Sequence, residues 1–69
     1  MMIEYDSQVD AAYISLTNGE GISGPVSTYS CDRRSVGGEI NLNFDVHGRL
    51  IGIEILQASK KLMSSIIEG

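Results

Sequence analysis

Hydrophobic and polar residues alternate along most of this chain, which is the pattern of β-strands with one buried face. The clearest example is "DVHGRLIGIEIL", residues 45–56, where isoleucine stands at every second position after a polar turn. Alternation of this kind predicts strands at about 1–5, 11–16, 26–31, 39–44 and 49–56, of which the first hairpin is short. After Leu56 the apolar spacing changes to one, three and four, which predicts an α-helix at about 59–67 with Ser59 as its N-cap.

These elements predict an α+β domain, residues 1–69, in which a four-stranded antiparallel β-meander carries one C-terminal α-helix packed on one face. Turn-forming segments separate the strands. Asn18-Gly19 favours a type I′ turn, and residues 32–38 are expected to form a loop. A helix of about ten residues is marginal alone in water, so it must pack on the sheet.

The turn at Asp45–Gly48 decides which faces meet, because register follows from loop length. If all four residues lie in the loop, Phe44 pairs with Arg49 and the apolar residues of both strands share one side, whereas a three-residue loop would separate them. We expect the four-residue loop, with φ > 0 at Gly48. The predicted core then comprises the apolar residues of these strands and two helix residues: Ile40, Leu42, Ile51, Ile53, Ile55, Leu62 and Ile66.

The same register places Glu39 opposite Glu54 on the other face. Like charges in that position cost a few tenths to about 1 kcal/mol. The two carboxylates could serve acid–base chemistry, but the sequence predicts no cleft around them and no nucleophile beside them. A strand that frays at Glu39, or a cation nearby, would relieve the repulsion.

Apolar residues remain outside this core. Leu50 and Leu56 are expected on the face that carries Glu54, and Met63 and Ile67 stand beside the main apolar line of the helix. Leftover apolar surface on so small a domain predicts a homodimer or a larger homo-oligomer. The candidate interaction residues are therefore Leu50, Leu56, Met63, Ile67, Glu39 and Glu54.

Two aspartates and two tyrosines flank the first predicted turn. Asp6 and Asp10, with Tyr5 and Tyr13, could form a cation site, but calcium would need several more oxygen ligands at alternating positions. Turn capping is the preferred interpretation, because an aspartate at such a position accepts hydrogen bonds from nearby backbone N–H groups.

Other reactive residue types are sparse. His47 is expected to be solvated at a hairpin tip, and Cys31 is expected to be a small strand residue, although the adjacent Arg33–Arg34 pair could lower its pKa. With one cysteine, the chain forms no internal disulfide, and Cys31 and His47 could complete a four-ligand zinc site only with carboxylates or a second chain. We expect no metal, no cofactor and no catalytic residue.

Charge and composition narrow the classes of function. The net charge is −4 over 69 residues, which argues against nucleic-acid binding and is compatible with a basic protein partner. The acidic opening residues do not resemble a signal peptide, and no apolar run approaches the roughly 20 residues that span a bilayer. The lone cysteine suits a reducing compartment, so we expect a cytoplasmic protein without a membrane contact.

Two stretches resemble a known family. "EYDSQVDAAYISL" resembles a Tyr-Asp, spacer, Asp, Tyr-Ile-x-Leu pattern, and "FDVHGRLIGIEILQAS" resembles an Asp-x-x-Gly turn followed by Gly-Ile-Glu-Ile-Leu-x-Ala-Ser. The chain is identified from them as a member of the small prokaryotic domain-of-unknown-function family 2283. The middle, "VSTYSCDRRSVGGEINLNF", departs from the family by being less acidic, and Asn43 stands where members often carry an apolar residue.

The resemblance implies a small antiparallel sheet followed by a helix, and it implies no catalytic residues. It also implies an antitoxin-like role, since genes of this family tend to lie beside genes of small toxin-like proteins. The leading hypothesis is therefore a protein–protein interaction module, the acidic antitoxin-like partner of a small basic protein. The alternative is a small nucleic-acid- or ligand-binding protein, and an enzyme is not expected.

Overall fold

The computed structural model describes residues 1–17 and 24–68, and these form one antiparallel sheet with short helical segments. Its strands are β1 (Met2–Asp6), β2 (Ala11–Ser15), β3 (Ser27–Ser30), β4 (Ile40–Phe44) and β5 (Leu50–Leu56). The helical segments are α1 (Arg33–Val36), a 3₁₀ turn (Ala58–Lys60) and α2 (Ser64–Ile67). The α+β class is confirmed, whereas the turn predicted at Asn18-Gly19 lies outside the described residues.

All five segments predicted as strands are strands, but they form one five-stranded sheet in the order β1-β2-β5-β4-β3 and not the predicted four-stranded meander. A meander follows if each strand pairs with the next in sequence. Here β5 lies between β2 and β4 and pairs antiparallel with both. With seven residues, "LIGIEIL", it is the longest of the five strands and has the most buried positions, Ile51, Gly52 and Ile55, as suits a strand with neighbours on both sides.

The β4–β5 hairpin has a three-residue loop rather than the predicted four-residue loop. The Asp45 N–H donates to the Arg49 carbonyl (2.9 Å), and Gly48 closes the turn at φ = +77°, as predicted. A register shift at Asn43/Phe44 then adds one residue, so Leu42 pairs with Ile53. The shorter loop and the register shift compensate each other, so the residues beyond the shift still point to the faces that were predicted for them. The apolar residues of β4 and β5 therefore share one face as expected.

The predicted Glu39–Glu54 opposition is therefore wrong. Glu54 lies opposite Asn41, and the Glu39 carbonyl accepts a hydrogen bond from the Leu56 N–H (3.0 Å). The Glu39 carboxylate instead accepts a hydrogen bond from Arg33 (2.9 Å), which lies at the start of α1. The predicted like-charge repulsion does not arise because the register differs by two residues from the expected one.

The segment 32–38 contains a one-turn helix where a loop was expected. Asp32 caps α1, since its carboxylate accepts a hydrogen bond from the Ser35 N–H (3.1 Å), and Gly37 ends it in the left-handed region at φ = +68°. An aspartate before the first turn and a glycine after the last are the usual helix boundaries. The signal was thus present in the sequence.

The predicted helix at 59–67 is divided. Gln57 adopts a left-handed conformation, the 3₁₀ turn follows, and the backbone becomes extended at Met63 before α2 begins. Ser59 lies inside the 3₁₀ turn and is not an N-cap. Its backbone N–H and its hydroxyl both donate to Asp10 in the β1–β2 turn, and this long-range contact overrides the local helical pattern.

The core is small and centres on two alanines. Ala12 and Ala58 are buried with Ile55, and the half-buried side chains of Ile53 and Leu62 pack against them. The other half-buried residues of this cluster are Tyr5, Ile14 and Ile40. Of the seven predicted core residues, Ile55 is buried in this cluster and Ile51 is buried outside it, whereas Ile66 is exposed. The other four, Ile40, Leu42, Ile53 and Leu62, are half-buried. The break at Met63 explains why Ile66 does not follow Leu62 onto the sheet.

Candidate functional site: the two faces of the sheet

The sheet separates charge from apolar surface. Strand register aligns the apolar residues in rows that run across the strands on one face. The strand positions of this apolar face carry no charged side chain, whereas Glu4, Asp6 and Glu54 all lie on the opposite, polar face. Alternation along each strand produces this separation directly.

Two neighbouring rows of the apolar face differ in what lies over them. The covered row is packed under Ala58 and Leu62 and consists of Tyr5, Ala12, Ile55 and Ile40. The open row lies beside it and consists of Ile3, Ile14, Ile53, Leu42 and Tyr29. Of the helical segments in the described residues, only the 3₁₀ turn makes extensive contact with the sheet, through β2.

The open row leaves apolar side chains in solvent at both edges of the sheet. Ile3 in β1 is 38% exposed, and Tyr29 in β3 is 60% exposed. Beyond the sheet, Met63 is 75% exposed. No large side chain in the described part of the chain is completely withdrawn from solvent. The open row is therefore covered at its centre, where Ile14 and Ile53 pack against the buried cluster, and open at the two edges of the sheet.

Asp10 fixes the position of the segment, with Ala58 and Leu62, that packs over the covered row. Its carboxylate accepts hydrogen bonds from the Tyr5 hydroxyl (2.7 Å), the Ser59 N–H (3.0 Å) and the Ser59 hydroxyl (2.7 Å). Its carbonyl accepts a fourth, from the Ala58 N–H (2.8 Å). The hydrogen bond from the Tyr5 hydroxyl is the largest cause that lowers the pKa of Asp10, and the hydrogen bonds from Ser59 follow. The Tyr5–Asp10 hydrogen bond also raises the pKa of Tyr5.

The turn-capping interpretation is confirmed for Asp6, whose carboxylate accepts a hydrogen bond from the Gln8 N–H (2.9 Å). Asp10 instead connects this turn to the C-terminal segment, at a backbone φ of +52° that is uncommon outside glycine. In residues 1–17 and 24–68, no three His, Cys, Asp or Glu side chains are grouped to hold a metal ion. What the two aspartates are shown to do is accept hydrogen bonds, Asp6 within the turn and Asp10 from Tyr5 and Ser59.

Asp45, which is buried, is a second aspartate that accepts several hydrogen bonds. The sequence predicted it only as a turn residue. Its carboxylate accepts hydrogen bonds from the backbone N–H groups of His47 and Arg49 (2.9 Å each) and from the Arg49 guanidinium (2.7 Å). The Arg49 N–H is the main cause that lowers the pKa of Asp45. His47 lies exposed at this turn. The cluster fixes the backbone of the hairpin turn.

The polar face has its own hydrogen-bonded row. Glu4, Tyr13, Glu54 and Asn41 lie directly opposite one another across β1, β2, β5 and β4. The Asn41 side-chain amide donates to the Glu54 carboxylate (2.9 Å) and so fixes its orientation. Asn41 is only 8% exposed, and within the described residues its Oδ1 has no hydrogen-bond partner.

The ring of Tyr13 packs against Gly52, where a Cβ atom would collide with the tyrosine hydroxyl. That hydroxyl accepts a hydrogen bond from the Asn43 amide (3.2 Å), and Asn43 in turn accepts one from the Thr28 hydroxyl (2.9 Å). Gly52 is thereby buried without a covering helix. The polar face covers itself with its own side chains, which the apolar face does not.

A depression of about 320 Å³ lies beside the Tyr13 ring and is lined in part by Glu4, Asp6 and Glu54. The ion pairs among the described residues are Arg33–Glu39 and Arg49–Asp45. The three carboxylates of the depression consequently have no cationic partner within residues 1–17 and 24–68. This part of the surface is strongly acidic.

Of the predicted interaction residues, Glu39 and Leu56 line one depression, and the six do not share a single surface. Leu50 pairs with Phe44 beyond the register shift, and half-buried Leu56 lies opposite Ala11. Met63 is exposed and Ile67 is half-buried in the C-terminal segment. Glu39 and Glu54 occupy separate hydrogen-bonded sites, as described above. Sequence reasoning missed the open row because it assumed a full helix above it.

Comparison with known proteins supports the assignment of the chain to a family. Within residues 1–17 and 24–68, no helix has the length and apolar character that crossing a membrane requires. A search of curated proteins gave no significant match, and neither did a search of solved structures. The family model described as "Protein of unknown function (DUF2283)" matches residues 2–59, which include all five strands and the Asp10–Ser59 contact. This chain belongs to the DUF2283 family.

Proposed function

We propose that this chain is a non-catalytic protein–protein interaction module whose contact surface is the open row of the apolar face. The observation that carries the proposal is the exposure at the two ends of the open row: Ile3 is 38% and Tyr29 60% exposed, whereas Ile14 and Ile53 at its centre pack against the buried cluster. Exposed apolar surface on a small domain is characteristic of association sites.

The polar face supports a more specific form of this function, an acidic antitoxin-like partner of a small basic protein. Glu4, Asp6 and Glu54 line one depression, and the whole chain carries a net charge of −4. Such a surface attracts cationic side chains and accelerates association with a basic partner. It repels phosphate groups, which makes the alternative of a nucleic-acid-binding protein the weaker one.

The proposal is tested by retention of partners from cells that naturally produce the chain, at low salt, with mass spectrometry as the readout. Tagged wild-type chain is compared with Ile3→Lys/Tyr29→Lys, which places charges in the open row. The matched control is Met2→Lys/Ser30→Lys, which changes neighbouring exposed residues on the polar face. Both double variants add the same charge to the same two edge strands.

We expect the wild type and the control to retain the same stoichiometric partner, and the open-row variant to lose it while circular dichroism shows an intact sheet. A basic partner whose retention falls with added salt, but not with the charges placed in the open row, would support the antitoxin-like form with the polar face as its contact surface. Identical retained proteins from all three chains would contradict the assignment of the contact surface.

A further inference from the structure

We infer that residues 57–62 form a strap that opens and closes over the covered row while the sheet beneath it stays folded. The inference rests on the proposed function, because the strap controls how much of the apolar contact surface is available. When closed, it packs on the centre of the apolar face, and only the ends of the open row, Ile3 and Tyr29, are exposed. When open, it uncovers Ala12 and Ile55 and joins the two exposed ends into one apolar strip.

Little apolar contact holds the strap closed. Ala58 is its one buried side chain, and Leu62 is half-buried. Its remaining side chains are exposed: Gln57, Ser59, Lys60 and Lys61. Apolar stabilisation scales with the area that is buried, so a methyl group and part of a leucine contribute less than the rows of side chains within the sheet. The closed state therefore depends on polar contacts.

Those polar contacts lie at both ends of the strap. At one end, the Ser59 hydroxyl and N–H donate to the Asp10 carboxylate (2.7 and 3.0 Å). At the other end, the Lys61 ammonium donates to the Val36 carbonyl in α1 (2.6 Å). These hydrogen bonds are exposed, so water replaces each of them when it breaks. Neither end is locked by a buried group that would remain unpaired.

Backbone strain at the start of the strap favours opening. Asp10 (φ = +52°) and Gln57 (φ = +50°) are the non-glycine residues with positive φ in residues 1–17 and 24–68. They meet at the hydrogen bond from the Ala58 N–H to the Asp10 carbonyl (2.8 Å). The left-handed conformation is unfavourable for a residue with a side chain, and such strain is concentrated at switch regions. Opening allows Gln57, directly after β5, to relax and act as the hinge.

Native-state hydrogen exchange of the full chain, measured by NMR at low urea concentrations and without a partner, tests the inference. The N–H groups of Ala58, Lys61 and Leu62 donate hydrogen bonds in the closed strap, whereas Ile53 and Ile55 lie in the central strand of the sheet. The strap amides should exchange faster than those of β5. Their exchange should also be nearly independent of urea, because local opening exposes little surface, whereas exchange in β5 should rise steeply with urea.

Two variants shift the opening in opposite directions. Lys61→Met removes the donor to Val36 and should raise the exchange rate of the strap amides about two- to tenfold. Its control is Lys60→Met, which removes the same charge from the exposed neighbour and should change the rate less than about twofold. Gln57→Gly relieves the strain and should slow exchange about two- to fivefold, whereas Lys60→Gly, inside the 3₁₀ turn, should not slow it.

Strap and β5 amides that share one exchange rate and one urea dependence would overturn the inference, because the strap would then open only with the whole sheet. Equal effects of Lys61→Met and Lys60→Met would overturn it as well. If Lys61→Met fails to fold, Gln57→Gly still decides, since it should stabilise the closed state, and faster exchange in this variant contradicts the strain. The result is independent of the proposed function, which is measured separately by partner retention in cells.

Discussion

The covered row and the open row lie side by side on one face of the sheet, and they differ in what holds a cover above them. The covered row lies under a segment fixed by Asp10, whose carboxylate and carbonyl accept four hydrogen bonds. Beyond Leu62 the backbone turns extended at Met63, and α2 makes no extensive contact with the sheet. Apolar alternation alone therefore does not determine burial, because a cover must also be anchored.

The largest expected effect is a difference between the two rows. Ile55→Ala in the covered row should lower the free energy of unfolding by about 2–5 kcal/mol, because it leaves a cavity under Ala58. Ile3→Ala in the open row should cost less than about 1 kcal/mol in the monomer, since Ile3 already contacts solvent. Urea unfolding at dilute concentration measures both, and equal losses would show that the rows do not differ in cover.

The next effect concerns the polar face, which is covered by its own side chains. Gly52→Ala should cost about 1–3 kcal/mol, since the new methyl group occupies the position of the Tyr13 hydroxyl and displaces the ring. In a Tyr13→Ala background the same substitution should cost much less, because the collision has been removed. Thermal unfolding of the four chains gives this coupling, and an unchanged cost would refute the packing of Tyr13 on Gly52.

The assignment of many residues to one face of the sheet or the other could be predicted from local sequence. Period-two alternation assigned Ile40, Leu42 and the β5 isoleucines to one face, because parity along a strand is a local property. The turn at Gly48 was equally local, since Asp and Gly at its ends specify the backbone conformation. Asp32 and Gly37 are likewise local indicators of the two ends of α1, although a loop was predicted there.

The remaining features depend on contacts between distant residues. The order of the strands places β5 between β2 and β4, and no local pattern specifies that neighbour relation. The shift at Asn43/Phe44 compensates the shorter loop, so the correct face followed from an incorrect register. Ser59 has the sequence context of an N-cap, but Asp10, far away in the chain, binds it instead.

The anchor of the cover should depend on pH. Hydrogen bonds from Tyr5 and Ser59 lower the pKa of folded Asp10, so its stabilising contribution is present above the ordinary aspartate pKa of about 3.9. That contribution is lost as pH falls through the lowered value. Asp10→Asn should therefore destabilise the chain fully at neutral pH, and the difference from wild type should shrink below about pH 4.

Urea unfolding across this pH range measures the Asp10 effect, with Asp6→Asn as the matched control. Asp6 lies in the same turn, and its carboxylate accepts a hydrogen bond from an exposed backbone N–H, that of Gln8. Its replacement should have the smaller effect at neutral pH. A loss on Asp10→Asn that stays constant through acid conditions would show that the charge of the carboxylate does not hold the cover.

The smallest expected effect is the change in stability on Glu39→Gln, and its sign distinguishes the observed register from the expected one. If Glu39 lay opposite Glu54, Glu39→Gln would remove a repulsion and stabilise the chain. In the structure Glu39 pairs with Arg33 (2.9 Å), and the pair is exposed, so the same change should cost between zero and about 1 kcal/mol. Added salt should reduce that cost further, since it screens exposed pairs. Chemical denaturation at low and high salt resolves the sign, and stabilisation by Glu39→Gln would favour the register in which the two glutamates face each other.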